Sequence, residues 1–328
     1  MLNYSQATGL MNTVGAAGDV NLKRIKQGND VWRIDGAGQT FFLKTFTKEW
    51  YGGDAAGTAF NVRHERAAFE ILRKYGLTAP EVVLADTTCT NLVGRPFIIT
   101  RELSGKPLVD LLMLADDDDF ELLLYSVGAY LRQMHAITFA HPGYLDTVDG
   151  PSAPPDPNGW QHRCWSAAQR QKNALAYLES IRSSLSPELS QRLENHFSTM
   201  AEKLASDYQP PHFTHGDCHA HQFFLKPDGG AWIVTGVVDM EVASAGDTGE
   251  DWLHLLIELS SQFAPDSHWW KSLFNGYGAP PNFEGLRLRM LAVEPPEFGL
   301  DSVNEKLIEN LLDAKDWEAL FSALYEVA

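Results

Sequence analysis

Between His212 and Glu241 the chain reads His-Phe-Thr-His-Gly-Asp-Cys-His-Ala-His-Gln, an apolar run, Pro227-Asp228-Gly229-Gly230, a second apolar run and Val237-Val238-Asp239-Met240-Glu241. No other stretch restricts the possible folds as tightly. Paired glycines after Asp228 supply the positive backbone angles of a tight hairpin, so the two apolar runs lie side by side. The polar residues before the first run and after the second therefore meet at one end of a rigid ribbon. Asp217, Gln222 and Asp239 bring two carboxylates and an amide oxygen to that end. Such a set suits phosphoryl transfer, in which one carboxylate orients the attacking hydroxyl while an amide and a second carboxylate hold Mg²⁺.

Length and composition set the frame for this motif. A chain of 328 residues exceeds the size at which one core keeps growing, so two lobes are expected. A net charge of −17 argues against nucleic-acid or anionic-membrane partners, which are bound through excess Lys and Arg. The first residues lack the pattern of a signal peptide, and no apolar run is long enough to span a bilayer, so a cytoplasmic location is expected. Three scattered cysteines, Cys89, Cys164 and Cys218, form no disulfide framework, in keeping with a reducing compartment.

Upstream, VNLKRIKQ, VWRID and TFFLKTF are β-rich runs separated by Gly28-Asn29-Asp30 and Gly36-Ala37-Gly38, which predicts three antiparallel strands. From Thr58 to Tyr75 the period becomes helical, with Val62, Glu65, Phe69 and Leu72 on one face and Gly76 as the stop. VVLAD and RPFIITREL read as two further strands. After Leu103 helices dominate. The run Asp116 to Asp119 opens one, with Leu122, Leu123, Val127, Leu131 and Met134 as its apolar stripe. Residues 142–159 read as a loop or lid, and Ser186-Pro187-Glu188 opens a helix whose buried side runs from Leu189 to Leu204.

The segment His215-Gly216-Asp217-Cys218-His219-Ala220-His221-Gln222 resembles the HGD-x-H-x-x-N motif of the aminoglycoside phosphotransferase family. Val238-Asp239-Met240-Glu241, with Gly246-Asp247 and Glu250-Asp251, resembles that family's IDWE…GD…D segment. The likeness extends to FFLKTF, the Glu65 helix, Ile98 to Gly105 and Leu131 to His135, covering roughly residues 20–260 in family order. It implies an α+β, protein-kinase-like fold with a β-rich N-lobe carrying one helix (1–103) and a larger, mostly helical C-lobe (104–328). It also implies an ATP- and Mg²⁺-dependent kinase that phosphorylates a hydroxyl of a small molecule, as a monomer or homodimer.

Carried onto this chain, the family pattern makes Asp217 the catalytic residue, with His215 beside it hydrogen-bonding the loop, and Gln222 and Asp239 the metal ligands. Lys44 would pair with the nucleotide phosphates and Glu65 would hold it; Glu65, unlike Glu70, shares the inward helix face. Gly28 and Asn29 occupy the phosphate-loop position, and the main chain of Thr100, Arg101, Glu102 and Leu103 would meet adenine. Gln222 departs from the family Asn by one methylene, a change that maltokinase-like members share, and Phe223-Phe224-Leu225 resembles lipopolysaccharide-core sugar kinases.

Two other classes remain open at this point. The Gln222 departure and the sparse phosphate loop would suit a nucleotide-binding pseudokinase, and His212, His215, Cys218, His219 and His221 could instead gather around zinc. Acids at Glu241, Glu250, Glu258 and Asp266 could receive substrate amino groups. Asp247 and Asp251 have turn and helix-capping roles as an equally good account.

Overall fold

The computed structural model describes residues 2–26, 30–46, 55–152, 166–265, 268–293 and 302–326. Its N-terminal part is a five-stranded antiparallel sheet of β1 (Val20–Lys26), β2 (Val31–Gly36), β3 (Gln39–Thr45), β4 (Val82–Asp86) and β5 (Phe97–Arg101), in the order β1-β2-β3-β5-β4. Strand side chains alternate between faces, and this alternation sorts the sheet. Trp32, Ile34, Phe41, Leu43, Phe97 and Ile99 turn to one face. Lys44, between Leu43 and Thr45, turns to the other, where helix α2 (Ala55–Lys74) lies.

The first face is covered by a helix that the sequence reading did not anticipate, α1 (Tyr4–Thr13). Its Ala7, Leu10 and Met11 are buried against the sheet. The cap is reciprocal: the Gln6 amide donates to Asn3 Oδ1 at 2.9 Å and the Asn3 amide to Gln6 Oε1 at 3.0 Å. Two buried aliphatic side chains of this size contribute about 1.5–3 kcal/mol each, enough to hold a ten-residue helix that would not persist alone.

Helix α2 buries Val62, Phe69 and Leu72 as its period predicts. They belong to a core that continues into the helical part, joining Leu124, Leu131, Phe223 and Leu256. The chain leaves β5, turns at Gly105 (φ +98°) and pairs β6 (Lys106–Pro107) with β9 (Phe223–Asp228). A Cβ at Gly105 would run into the Leu225 carbonyl, so glycine is required there.

Helices α3 (Leu108–Leu112), α4 (Asp117–His135), α5 (Ala167–Ile181), α6 (Pro187–Ser198) and α7 (Met200–Leu204) precede the glycine-turned ribbon. Asp116 caps α4 by accepting from the Asp119 amide at 3.0 Å. Leu123, Val127, Leu131 and Met134 are buried, but Leu122 is 40% exposed, one step of rotation off the stripe to which the sequence assigned it. The single helix expected from Ser186 to Leu204 is broken at Thr199 into α6 and α7, while Leu189, Leu193, Phe197, Met200 and Leu204 are all buried.

The ribbon itself is β9 and β10 (Ala231–Val237), joined through Gly229 and Gly230, both at positive φ. A second small sheet, β7 (Gly143–Tyr144), β11 (Ser244–Gly246) and β8 (His212–Thr214), holds the ends of the segments that flank the site. The remaining helices are α8 (Gly249–Gln262), α9 (Trp269–Tyr277), α10 (Phe283–Leu291), α11 (Glu305–Asp313) and α12 (Trp317–Tyr325). Among the described residues no helix is long and apolar enough to cross a membrane.

Candidate active site

Beyond β8 the backbone turns sharply at Gly216 (φ +79°), where a Cβ would press on the Val242 carbonyl. The turn is held from below by Asp251 of α8. Its Oδ2 accepts from the His215 amide at 2.9 Å and from His135 Nε2 at 3.0 Å, and its Oδ1 from the Gly216 amide at 2.7 Å. Asp251 is fully buried. Burial pushes its carboxyl up, but the hydrogen bond and charge of His135, the charge of His215 and the loop amide outweigh it and leave the group below its ordinary range. The sequence allowed Asp251 a capping role; what it caps is the catalytic turn. Asp251→Ala would orphan two loop amides and His135, so a loss of about 3–5 kcal/mol is expected, read as a thermal midpoint lower by on the order of 10 °C. A variant that melts with the wild type would refute this role.

Past the turn, Asp217 is half exposed and Oδ1 faces His219 Nε2 at 3.1 Å. On its other side His219 Nδ1 faces Glu258 Oε2 at 3.3 Å, and that oxygen also accepts from the Ala220 amide at 2.6 Å. The hydrogen bond from His219 holds the Asp217 carboxyl down at about 2, against burial and with help from the charges of His219, His254 and His215. Burial alone would lower His219; hydrogen bonds and charge from Asp217 and Glu258 overcome it and raise the imidazole to about 10. An imidazolium between two carboxylates follows. A carboxylate so acidic is a weak proton acceptor, which suits it to orienting a hydroxyl rather than stripping it early.

His215 is buried, its Nδ1 accepting from the Asp217 amide at 3.3 Å and its Nε2 donating to the Val238 carbonyl at 2.9 Å. It acts as a positioning residue. The Val238 amide in turn donates to the Gln222 carbonyl at 3.1 Å, so the residue before Asp239 is held through both its amide and its carbonyl. Asp239 then adopts φ +65°, a conformation that costs a non-glycine residue on the order of 1–3 kcal/mol and gathers at functional sites.

Asp239 meets Lys44, as the strand alternation requires. Lys44 Nζ lies 2.9 Å from Glu65 Oε2, 2.5 Å from Asp239 Oδ1 and 3.0 Å from Glu241 Oε2. Lys26 reaches Asp239 Oδ2 at 3.3 Å from the end of β1. Glu70, the rejected alternative, pairs with Arg66 instead. Burial lowers the Lys44 ammonium, but the three carboxylates together raise it well above its ordinary value. Glu65 is pushed up to about 7, by burial first, with Asp239 and Glu241 adding to it against the pull of Lys44. Asp239 moves down, because the Lys44 and Lys26 charges overcome its burial.

Gln222 is buried on the short turn Ala220–Gln222, where Oε1 accepts from the His219 amide at 2.8 Å and Nε2 has no hydrogen-bond partner among the described residues. Along the stretch from Thr100 to Leu103, the Arg101 amide donates to the Glu81 carbonyl at 2.9 Å and the Glu102 amide to the Thr40 carbonyl at 3.1 Å. Thr100 is paired with Phe42 on one side and Val82 on the other, so the sheet takes up this stretch as far as the Glu102 amide and Leu103 follows it. Gly28, Asn29, Cys164 and Asp266 lie outside the described residues.

The five His and Cys side chains weighed for zinc do not converge. His212 Nδ1 is bonded to the His135 carbonyl at 2.6 Å, His215 to Val238, and Cys218 is buried with its thiol pushed up by burial. The acids weighed as substrate receivers are also partnered: Glu241 with Lys44, Glu250 with Arg170 and Glu258 with His219. Asp247 accepts from the Gly249 amide at 2.9 Å and pairs with buried Arg289, which also holds Asp207 at 3.0 Å. Sequence reasoning missed Lys26, His254 and the grip of α8 on the loop. A signal existed: Asp251, His254 and Glu258 recur at i, i+3 and i+7, a polar line along one side of an otherwise apolar helix.

The model of the phosphotransferase enzyme family (APH) matches residues 21–290. A search of the curated proteins found no match. Among solved structures, a Ralstonia eutropha protein assigned as an aminoglycoside phosphotransferase superposes with a TM-score of 0.61 at 13% identity, over 99% of this chain and 94% of that one. The GDP and kanamycin complex of APH(2″)-IIIa gives 0.59 at 13% identity, covering 99% and 97%. ADP-bound aminoglycoside phosphotransferase APH(2″)-Ib gives 0.55 at 16%, covering 99% and 97%. At these identities the likeness establishes the α+β fold.

Proposed function

Because this chain belongs to the phosphotransferase enzyme family and is a small-molecule kinase, we propose that it moves the γ-phosphoryl group of ATP to a hydroxyl of a small molecule. One observation carries the reading: Lys44, Glu65 and Asp239, from three distant parts of the sequence, meet within hydrogen-bonding distance. In this reading the boundary between the lobes falls after Leu103. Lys44 pairs with the nucleotide phosphates while Glu65 holds it, and the residues around Thr100 to Leu103 receive the base. Asp217 accepts a hydrogen bond from the acceptor hydroxyl and aims its oxygen along the line of transfer. His215 keeps the Asp217 loop in register with the segment that carries Asp239.

A divalent cation suits these residues. Three carboxylates, Glu65, Asp239 and Glu241, gather around the Lys44 ammonium, with Lys26 reaching Asp239, a concentration of carboxylate oxygens that a divalent cation would complement. Asp239 would hold the cation, with Gln222 offering the second lone pair of Oε1. When bound, Mg²⁺ would offset charge on the phosphates.

The acceptor belongs to the aminoglycoside, sugar or amino-alcohol class. Among the described acids of the site Glu241, Glu250 and Glu258 already have cationic partners, which supports recognition through hydroxyls more than through amino groups. An ADP-release screen over aminoglycosides, sugars and amino alcohols tests the proposal, with hydroxyl-dependent turnover the expected result. Nucleotide binding without turnover on any acceptor would count against it. Gln222→Asn should retain turnover while moving the Mg²⁺ concentration needed for half-maximal rate; an unmoved Mg²⁺ dependence would make Gln222 purely a cap for the His219 amide.

A further inference from the structure

Beside the phosphate-facing cluster lies a second convergence, of which the proposed reaction uses Asp217 and leaves His219 and His254 without a part. A carboxylate oxygen of Asp217, a ring nitrogen of His219 and one of His254 all lie within 4.8 Å of one another, and all three residues are half-buried. In a tetrahedral shell with zinc bonds of 2.0–2.1 Å, donors stand about 3.4 Å apart. Asp217 Oδ1 and His219 Nε2 are already at 3.1 Å.

On binding, zinc takes the place of the proton that His219 Nε2 shares with Asp217, and that proton is released to solvent. His219 directs its other nitrogen, Nδ1, at Glu258 Oε2 (3.3 Å), and the Ala220 amide fixes that oxygen at 2.6 Å. A carboxylate on the far nitrogen is the arrangement that orients a metal-binding imidazole and raises its donor strength. His221 stacks on His219, with ring centroids 5.5 Å apart and planes inclined by 18°, restricting its rotation. Two imidazoles and one carboxylate select zinc over magnesium, which prefers an all-oxygen shell.

We propose that Asp217, His219 and His254 form a binding site for Zn²⁺, separate from the cation site at Asp239, and that its occupation switches phosphoryl transfer off by occupying Asp217. The binding half stands on this geometry alone; the switching half rests on the role proposed above for Asp217.

The test uses the full chain, stripped with a chelator and titrated with ZnCl₂ by calorimetry in excess Mg²⁺. One zinc per chain is expected, and Co²⁺ in its place should give the visible absorption of nitrogen and oxygen coordination. His254→Ala and His254→Gln should each weaken zinc at least tenfold, and Glu258→Gln roughly 10-fold or more. No zinc uptake by the wild type, or equal affinity in both His254 variants, would overturn the site. With an acceptor in hand, zinc should abolish ADP release by the wild type and a chelator restore it. The His254 variants should keep their own zinc-free rates at the same zinc concentration. Zinc bound at full stoichiometry without inhibition would overturn the switch. Histidine-dependent zinc binding in a chain that turns over no acceptor would leave the site standing and count against the phosphoryl-transfer reading instead.

Discussion

Asp217→Asn is expected to lower kcat by roughly 10²- to 10⁴-fold while nucleotide affinity stays close to that of the wild type. Asp217 is half exposed and sits outside the Lys44 cluster, so its loss should leave the carboxylates around Lys44 undisturbed. Single-turnover kinetics with a saturating acceptor, together with a nucleotide titration, separate the two quantities. Retention of more than a tenth of the wild-type rate would remove Asp217 from the chemistry. The pH dependence follows with a fixed sign. With its carboxyl held at about 2, Asp217 stays ionised throughout the neutral range, so it contributes no acidic limb to the rate profile above about pH 4. Its folded value lies below the unfolded one, so its contribution to stability is present above about pH 4 and is lost as pH falls toward 2.

What the sequence made legible follows from the range over which each signal acts. Hairpin glycines at 229 and 230, the strand alternation around Lys44 and the helical period through Glu65 are local rules, and each led to the observed element. The meeting of Lys44 with Glu65 could be foreseen because both positions are fixed by period: one on the inner face of a strand, the other on the inner face of a helix. By contrast α1 has no long apolar stripe. Its Leu10 and Met11 make sense only once a sheet face exists to receive them.

The amides of Gly216 and Ala220 donate to Asp251 and Glu258 across 35 and 38 positions; the polar line on α8 marks these acids in the sequence but not the loop that they hold. Similarly, the Gln222 oxygen was read as a metal ligand from its place in a motif, while its capture by the His219 amide depends on the local turn. The paired state of Glu241, Glu250 and Glu258 was equally out of reach, since each partner comes from another element.

Lys44→Met should have the other large effect, and it is one of stability as well as rate. The ammonium is the common partner of Glu65, Asp239 and Glu241, and Glu65 is almost fully buried. Removing the cation from a buried cluster of this kind costs about 3–5 kcal/mol. Glu65 determines how that cost varies with pH. In the wild type its folded value, about 7, lies above the unfolded value of 4.5, so its contribution to stability is complete below pH 4.5 and is lost as pH rises to 7. Without Lys44 the only pull holding Glu65 down is gone, so the window extends above pH 7 and the decline becomes larger. Thermal melts of the ligand-free variant from pH 5 to 8 should therefore fall more steeply than those of the wild type, and Glu65→Gln added to Lys44→Met should flatten them. A Lys44→Met protein as stable as the wild type at pH 8 would mean that the three carboxylates do not share one ammonium, and the phosphate-facing half of the site would lose its foundation.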